Sequence, residues 1–174
     1  MSPELLKYPP ENPGVVGVVG VGIHTIEHKK HRYPTTGDWL YDPSWGYVEV
    51  RTSRTADWRE SMCVAVHELI EALLCVQHGV DPKAVDEFDI AYEARRAQGL
   101  EDEESEPGDD VTAPYYHQHQ VAMVVERLLA NELGLHWPTY NTNLGKLNEP
   151  LLYETSGTAE QVGKGFAPVG VENQ

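Results

Sequence analysis

The segment Ser61–Cys75, SMCVAVHELIEALLC, constrains this chain more than any other. Its apolar residues recur at helical spacing, with Val66, Leu69, Ile70, Leu73 and Val76 forming one stripe. Thr55 or Asp57 supplies a polar N-cap upstream, and Gly79 suits the left-handed position just past a helix end. A long helix from about Asp57 to Gly79 follows. It carries three groups out of keeping with an apolar segment: His67, Glu68 and Glu71. Positions four apart share a helix face, so His67 and Glu71 project side by side. Glu68 lies about 100° further round.

The chain has 174 residues, 40% of them hydrophobic and 24% charged, with a formal net charge of -15. That length fits one domain, and the composition supports a core and excludes wholesale disorder. The negative charge disfavours non-specific association with nucleic acid or an anionic membrane surface. The longest apolar run, around Val15–Ile23, is broken by Gly17, Gly20 and Gly22 and is too short to span a bilayer. It follows a proline-rich, acidic start, Met1–Pro13, unlike a signal peptide. Cys63 and Cys75 both fall on the long helix, about 18 Å apart along its axis. A disulfide needs Cα atoms within about 7 Å, so both are read as reduced thiols, with a cytoplasmic setting expected.

The expected organisation is an extended arm over residues 1–14, a single domain over 15–150 and a tail over 151–174. Val15–Glu27 reads as a strand bent at its glycines. His28–Arg32 is a basic island, read as a solvated turn, a partner for the protein's own acidic loop, or a seat for an anionic group. Trp39–Tyr41 and Tyr47–Thr52 read as hairpin arms about the turn in DPSWGY. Asp81-Pro82 starts a second helix with the stripe Val85, Phe88 and Tyr92. Gln98–Ala113 is a loop with seven acidic residues and no basic one. Ala113-Pro114 opens a third helix that runs to about Leu133 and stops at Gly134, with Val121, Val124, Val125, Leu128 and Leu129 apolar. Tyr140–Leu147 reads as a loop. The fold class expected is α+β: a small N-terminal antiparallel sheet packed on about three helices.

Imidazole and carboxylate both bind zinc and other borderline divalent metals. His67 and Glu71 therefore make a candidate ligand pair, with Glu68 offset as a general base. A core helix with a polar shoulder would carry the same letters. Glu71, however, has no Lys or Arg one turn away to pair with, since those positions hold His67 and Cys75. A catalytic zinc needs a third protein ligand, and the third helix, YYHQHQVAMVVERLLANELGL, offers His117, His119 and Glu126.

Strands ending in GDWLYDPSWGYVEVRTS, a helix with AVHELIEALL and a later helix with HQHQVAMVVERLLANEL together resemble the small zincin-like peptidases of the ImmA/IrrE type. In that family a HELGHALL helix is followed by one supplying a glutamate ligand in a pattern like E-x-x-A-x-x-F-A-x-x-L-L. The resemblance covers roughly Asp38–Leu133. It places His119 at the ligand position, Ala122 at the small residue and Leu128-Leu129 near the apolar end. Glu71 stands where the family has histidine and His119 where it has glutamate. The two departures are complementary, and the set remains two histidines and one glutamate. The resemblance implies a zincin-like fold and a zinc peptidase acting on protein or peptide, with His67, Glu71 and His119 as ligands and Glu68 as general base. Iron(II) or manganese also suits such a set. The insert VDEFDIAYEARRAQGLEDEESEPGDDVTAPYY departs from the family and puts the substrate in question.

Asp89 and Glu93 are candidates for supporting the ligand histidines, or for pairing with Arg95 and Arg96. Asp109 and Asp110 lie close in sequence to His117 and His119 and are candidates for an extra ligand or an orienting group. Glu101–Glu106 reads as a solvated acidic stretch. Two other readings stand beside the hydrolase. One is a non-enzymatic binding or assembly protein, of the kind phages encode, on a zincin-like scaffold. The other is a nucleotide pyrophosphohydrolase holding Mg²⁺, whose E-E-x-x-E helix HELIEALL partly matches; its following Glu-x-x-Asp is missing, since Glu87 is followed by Ile90. Walker, Rossmann, nucleophile-elbow and Cys-x-x-Cys signatures are absent.

Overall fold

The computed structural model describes residues 17–102 and 105–148. The expected arm (1–14) and tail (151–174) lie outside the described residues. Strands β1 (Gly20–Ile26), β2 (Gly37–Asp42) and β3 (Tyr47–Ser53) are followed by helices α1 (Trp58–His78), α2 (Pro82–Arg96), α3 (Tyr116–Glu132) and α4 (Trp137–Asn148). This is an α+β domain with the sheet on one side of α1 and α3 on the other.

The sheet is mixed, which corrects the antiparallel expectation. The order is β1-β3-β2: β2 pairs with β3 antiparallel, while β1 pairs with β3 in parallel, from Gly20 opposite Tyr47 to Ile26 opposite Ser53. The hairpin is as the sequence implies. The third strand, however, enters between the first two, and alternating directions then force the β1–β3 pair to be parallel. Val48, Val50 and Thr52 alternate inward along β3 and are fully buried. Val48 and Val50, together with Trp39, pack on Ala65, Ala72 and Cys75 of α1, Val85 of α2, and Ala113 and Tyr115 just before α3.

The helix ends follow local chemistry. The Asp57 carboxylate accepts from the Arg59 backbone N–H at 3.0 Å and caps α1. Gly79 closes it at φ 68°, a left-handed conformation that a side chain would strain. Asp81 caps α2 with Pro82 in its first turn.

The helix faces differ from the simple apolar reading. Val66, Leu69, Ile70, Leu73 and Val76 are only half-buried. The buried residues of α1 are Cys63, Val64, Ala65, Ala72 and Cys75, with Glu60, Ser61, His67 and Glu71 among them. On α3, Val124 and Leu128 are 61% and 64% exposed, while Gln118, His119, Ala122, Glu126 and Ala130 are buried. Small residues (Cys63, Ala122, Ala130) bring the two helices close, and polar groups fill the space between them. Cys63 and Cys75 are both buried, free thiols, as expected. Helix α4 was not expected. It contributes Tyr140 to a second cluster with Cys63, Val64 and Ala130, ringed by Leu129, Leu133, Leu135 and Trp137. Among the described residues no helix is long and apolar enough to cross a membrane.

Candidate metal centre

Helix α1 presents His67 and Glu71 one turn apart toward α3, which presents His119 and, seven residues on, Glu126. The four meet. His67 Nε2 lies 3.2 Å from His119 Nδ1. Glu71 Oε2 lies 3.1 Å from His119 Nδ1 and 3.6 Å from His67 Nε2. Three donor atoms from two helices therefore sit within 3.6 Å of one another. Glu106, from the turn before α3, also reaches this place: His67, His119 and Glu106 each offer one ligand atom, all within 4.8 Å of one another. The chain thus holds a cluster of two histidines and a glutamate able to coordinate a metal ion.

Each inward-facing group is held from behind. The His67 Nδ1–H donates to Glu126 Oε2 at 2.8 Å, and Glu126 Oε1 accepts from the Tyr140 hydroxyl. The Trp39 indole N–H donates to Glu71 Oε1 at 2.9 Å. Among the described residues His119 Nε2 is buried without a hydrogen-bond partner, with Glu106 Oε2 at 3.5 Å and Asp109 Oδ1 at 3.6 Å. Two glycines make room. A Cβ at Gly108 would overlap the His119 ring, and one at Gly37 would overlap the Glu68 side chain.

The electrostatics follow from this packing. Burial alone would lower the His67 pKa, but the Glu126 and Glu71 carboxylates override it and hold His67 well above its ordinary value. Burial likewise opposes a charged His119, yet Asp109 and Glu71 raise it to about 10. Burial raises Glu71 and the two histidines more than reverse that, leaving it at about 2. Glu68 differs: burial first, then the Glu71 charge, push it well above the usual carboxylate range, with His67 opposing.

The other candidates separate cleanly. His117 is exposed, since residues two apart on a helix face nearly opposite ways. The Asp110 carboxylate accepts from the Thr112 N–H and hydroxyl, both at 2.8 Å, and takes no part in the cluster. Asp109 stands behind His119. Asp89 touches no ligand histidine; it accepts from the Tyr33 and Tyr115 hydroxyls on the cleft wall, where burial lifts it to about 7. Glu93 pairs with Arg96 and Arg95 with Glu101. In the basic island, Arg32 is taken up by Asp38 and Asp86 rather than by an anionic ligand or the acidic loop.

The reading of Glu101–Glu106 as solvated needs correction at its last residue. The side chain of Glu106 is 53% exposed but lies over His119. Its signal was the following Pro-Gly-Asp, a tight turn that aims the preceding side chain back across the helix start. Trp39 and Tyr140 were also missed, because nothing local in their sequence marks a hydrogen bond to a distant glutamate.

The cluster lines a cleft walled by Tyr33, Gly37, Trp39, Glu68, Asp89 and Tyr115, with a cavity of about 90 Å³. That is room for several waters. No family model, no curated protein and no solved structure matches this chain. The resemblance to ImmA/IrrE-type peptidases therefore stands on the motif alone.

Proposed function

We propose that this protein is a metal-dependent hydrolase, with His67, Glu71 and His119 as ligands and Glu68 as general base. The carrying observation is the triangle formed by His67 Nε2, His119 Nδ1 and Glu71 Oε2, with sides of 3.2, 3.1 and 3.6 Å. Donors at about 2.1 Å from a tetrahedral zinc are about 3.4 Å apart, so the triangle already has the dimensions of three ligands around one ion. Its outer support is equally apt. His67 is oriented by a carboxylate through its other nitrogen, the arrangement that fixes a ligand tautomer. Two imidazoles among the donors favour zinc, iron(II) or manganese over Mg²⁺, which argues against the pyrophosphohydrolase reading.

A metal here supplies Lewis acidity toward a carbonyl and lowers the pKa of water. The chain's own residues supply the remaining functions. Glu68 sits next to the first ligand on the cleft side, where it can accept a proton from attacking water and return it to a leaving group. Burial of the cluster between α1 and α3 limits competing solvent. Peptide hydrolysis on a zincin-like scaffold is the reading the motif favours.

A second reading has one observation behind it. Glu106 lies within reach of both histidines, and a fourth protein ligand closing the site would mark the metal as structural.

Metal content of the purified protein tests the proposal. About one equivalent is expected in wild type and in Glu68→Gln, and none in His67→Ala or His119→Ala. Retention in both histidine variants would sink the shared site.

A further inference from the structure

We infer that Asp109 is a positioning residue of the metal centre: its carboxylate takes the proton on His119 Nε2 and so fixes which nitrogen of that ligand meets the ion. This rests on the metal-binding reading above and assigns how the ligand from α3 is oriented. The two ligand histidines enter the triangle by different nitrogens. His67 contributes Nε2 and His119 contributes Nδ1. A neutral imidazole has one bare nitrogen and one N–H. Each ring that gives its bare nitrogen to the ion therefore carries its proton on the other, Nδ1 of His67 and Nε2 of His119.

For His67 the acceptor is in place, since Glu126 Oε2 lies 2.8 Å from Nδ1. The corresponding nitrogen of His119 is buried and, among the described residues, has no hydrogen-bond partner. A buried donor left unpaired is costly, and a ligand histidine ordinarily gives its second N–H to a carboxylate, carbonyl or water. Two carboxylates face this edge, away from the triangle: Glu106 Oε2 at 3.5 Å and Asp109 Oδ1 at 3.6 Å. Closing by roughly half an ångström would bring either to N–H···O length.

The turn before α3 selects Asp109. The Glu106 N–H donates to Asp109 Oδ2 at 3.2 Å, which holds the carboxylate by one oxygen and leaves Oδ1 at the ring. The Gln120 side-chain amide also donates to Oδ1, at 3.4 Å, and a carboxylate oxygen has lone pairs for both donors. The Asp109 N–H donates to the Glu106 carbonyl at 3.0 Å, closing the turn. Gly108 seats that turn directly on the His119 ring, where no Cβ fits. Glu106 reaches the same edge with a longer side chain that is 53% exposed, so ordering it there costs more rotamer freedom.

The test uses the full-length, nitrogen-15-labelled protein loaded with zinc. Long-range proton–nitrogen correlation spectra read the imidazole tautomers, and competition with a chelator reads zinc affinity. Wild type is expected to show His67 protonated at Nδ1 and His119 at Nε2, with the Nε2 proton protected from exchange. Asp109→Ala should bind zinc about 10–100-fold more weakly, the usual loss when the group behind a ligand histidine is removed. It should also lose the protection of the His119 proton. Asp109→Asn has a single acceptor oxygen for the Glu106 N–H and the His119 N–H, so it should fall between the two. It carries the test if Asp109→Ala does not fold. Asp110→Ala, on the same turn but not at the ring, should match wild type, and Glu106→Ala should lie nearer wild type than Asp109→Ala. Zinc bound through His119 Nε2 would overturn the inference. So would a folded Asp109→Ala with affinity within about twofold of wild type and the proton still protected. A larger loss in Glu106→Ala than in Asp109→Ala would overturn the assignment to Asp109. Each of these results leaves the metal reading intact, whereas failure of wild type to bind zinc would remove both together.

Discussion

Helix α1 has two neighbours built on opposite plans. Toward the sheet it meets Val48 and Val50, both fully buried, across Ala65, Ala72 and Cys75. Toward α3 it meets Gln118, His119 and Glu126, while Val124 and Leu128 of that helix face solvent. The first interface is held by removal of apolar area from water and depends on neither protonation nor a bound ion. The second is held by paired charges, each stable only while its partner is present. Nothing in the folding of α3 requires this, because its own valines and leucines would have made an ordinary core face. Two of its apolar residues, Val124 and Leu128, face outward while His119 and Glu126 face inward, an arrangement that fits the proposed metal site.

The largest effect expected from breaking this contrast is at Glu126. Glu126→Ala strips the His67 Nδ1–H of its acceptor and leaves the Tyr140 hydroxyl buried beside it unpaired. Removing one member of a buried charged pair costs about 3–5 kcal/mol, so the variant should melt far below wild type. Glu126→Gln keeps the acceptor oxygen and should recover part of the loss. A melting curve for Glu126→Ala within a degree of wild type would show that the pair holds nothing.

Metal should act on one interface and not on the other. A ligand at a thousandfold excess over its Kd stabilises by about 4 kcal/mol. Zinc is therefore expected to raise the melting temperature of wild type, and EDTA to reverse the rise. His67→Ala should show no zinc response. Val50→Ala, in the sheet core, should start about 2 kcal/mol less stable yet keep the whole response. If zinc failed to shift wild type, or shifted His67→Ala equally, the polar interface would be a charge network with no ligand of its own.

The same contrast explains what was legible in the sequence. Caps and breakers act within a few residues, so Asp57, Gly79 and Asp81-Pro82 locate their helix ends correctly. His67, Glu68 and Glu71 were legible because one helical turn fixes their relation. His119 was legible as one of three candidates on the third helix, and the family pattern singled it out, although the apolar residues of α3 pointed to another face. The parallel β1–β3 pair was not readable, because it depends on where the third strand inserts and no local residue records that. Helix α4 was missed because its polar NTN stretch weakens the apolar period. Its burial comes instead from Trp137 and Tyr140 meeting α1 and α3. Glu106 was misread for a related reason: acidic loops are normally solvated, and the turn that aims this side chain inward is a tertiary contact of Gly108 with His119.

A third region sharpens the comparison through pH. His31 Nε2 lies 3.1 Å from Ser53 Oγ, which also lies 2.9 Å from His28 Nδ1, joining the basic island to the end of β3. Burial, then the neighbouring charges of His28, Arg51 and Arg32, lower His31 from 6.5 to about 4. The unfolded chain therefore binds more protons than the folded one between those values. The His31 contribution is complete above pH 6.5 and is lost as pH falls toward 4. His31→Gln should flatten the slope of stability against pH in that window, as measured by urea melts at a series of pH values. An unchanged slope would place the acid sensitivity elsewhere. The effect should be smaller than either change above, since the ring is only partly buried.

The smallest effect is expected where the sequence looks most like a core. Val124 and Leu128 are 61% and 64% exposed on the outer face of α3. Replacing both with Gln removes little buried apolar area and keeps good helix formers, so stability should change by about 0.5 kcal/mol or less. The zinc response of the melting temperature should remain whole. A loss of several kcal/mol would mean that this face is covered in the folded protein, and that the inverted plan of α3 is wrong. A neutral result would be hard to obtain from any conventional amphipathic helix. It would leave the inward row of His119 and Glu126 as the side of α3 that the fold is built to protect.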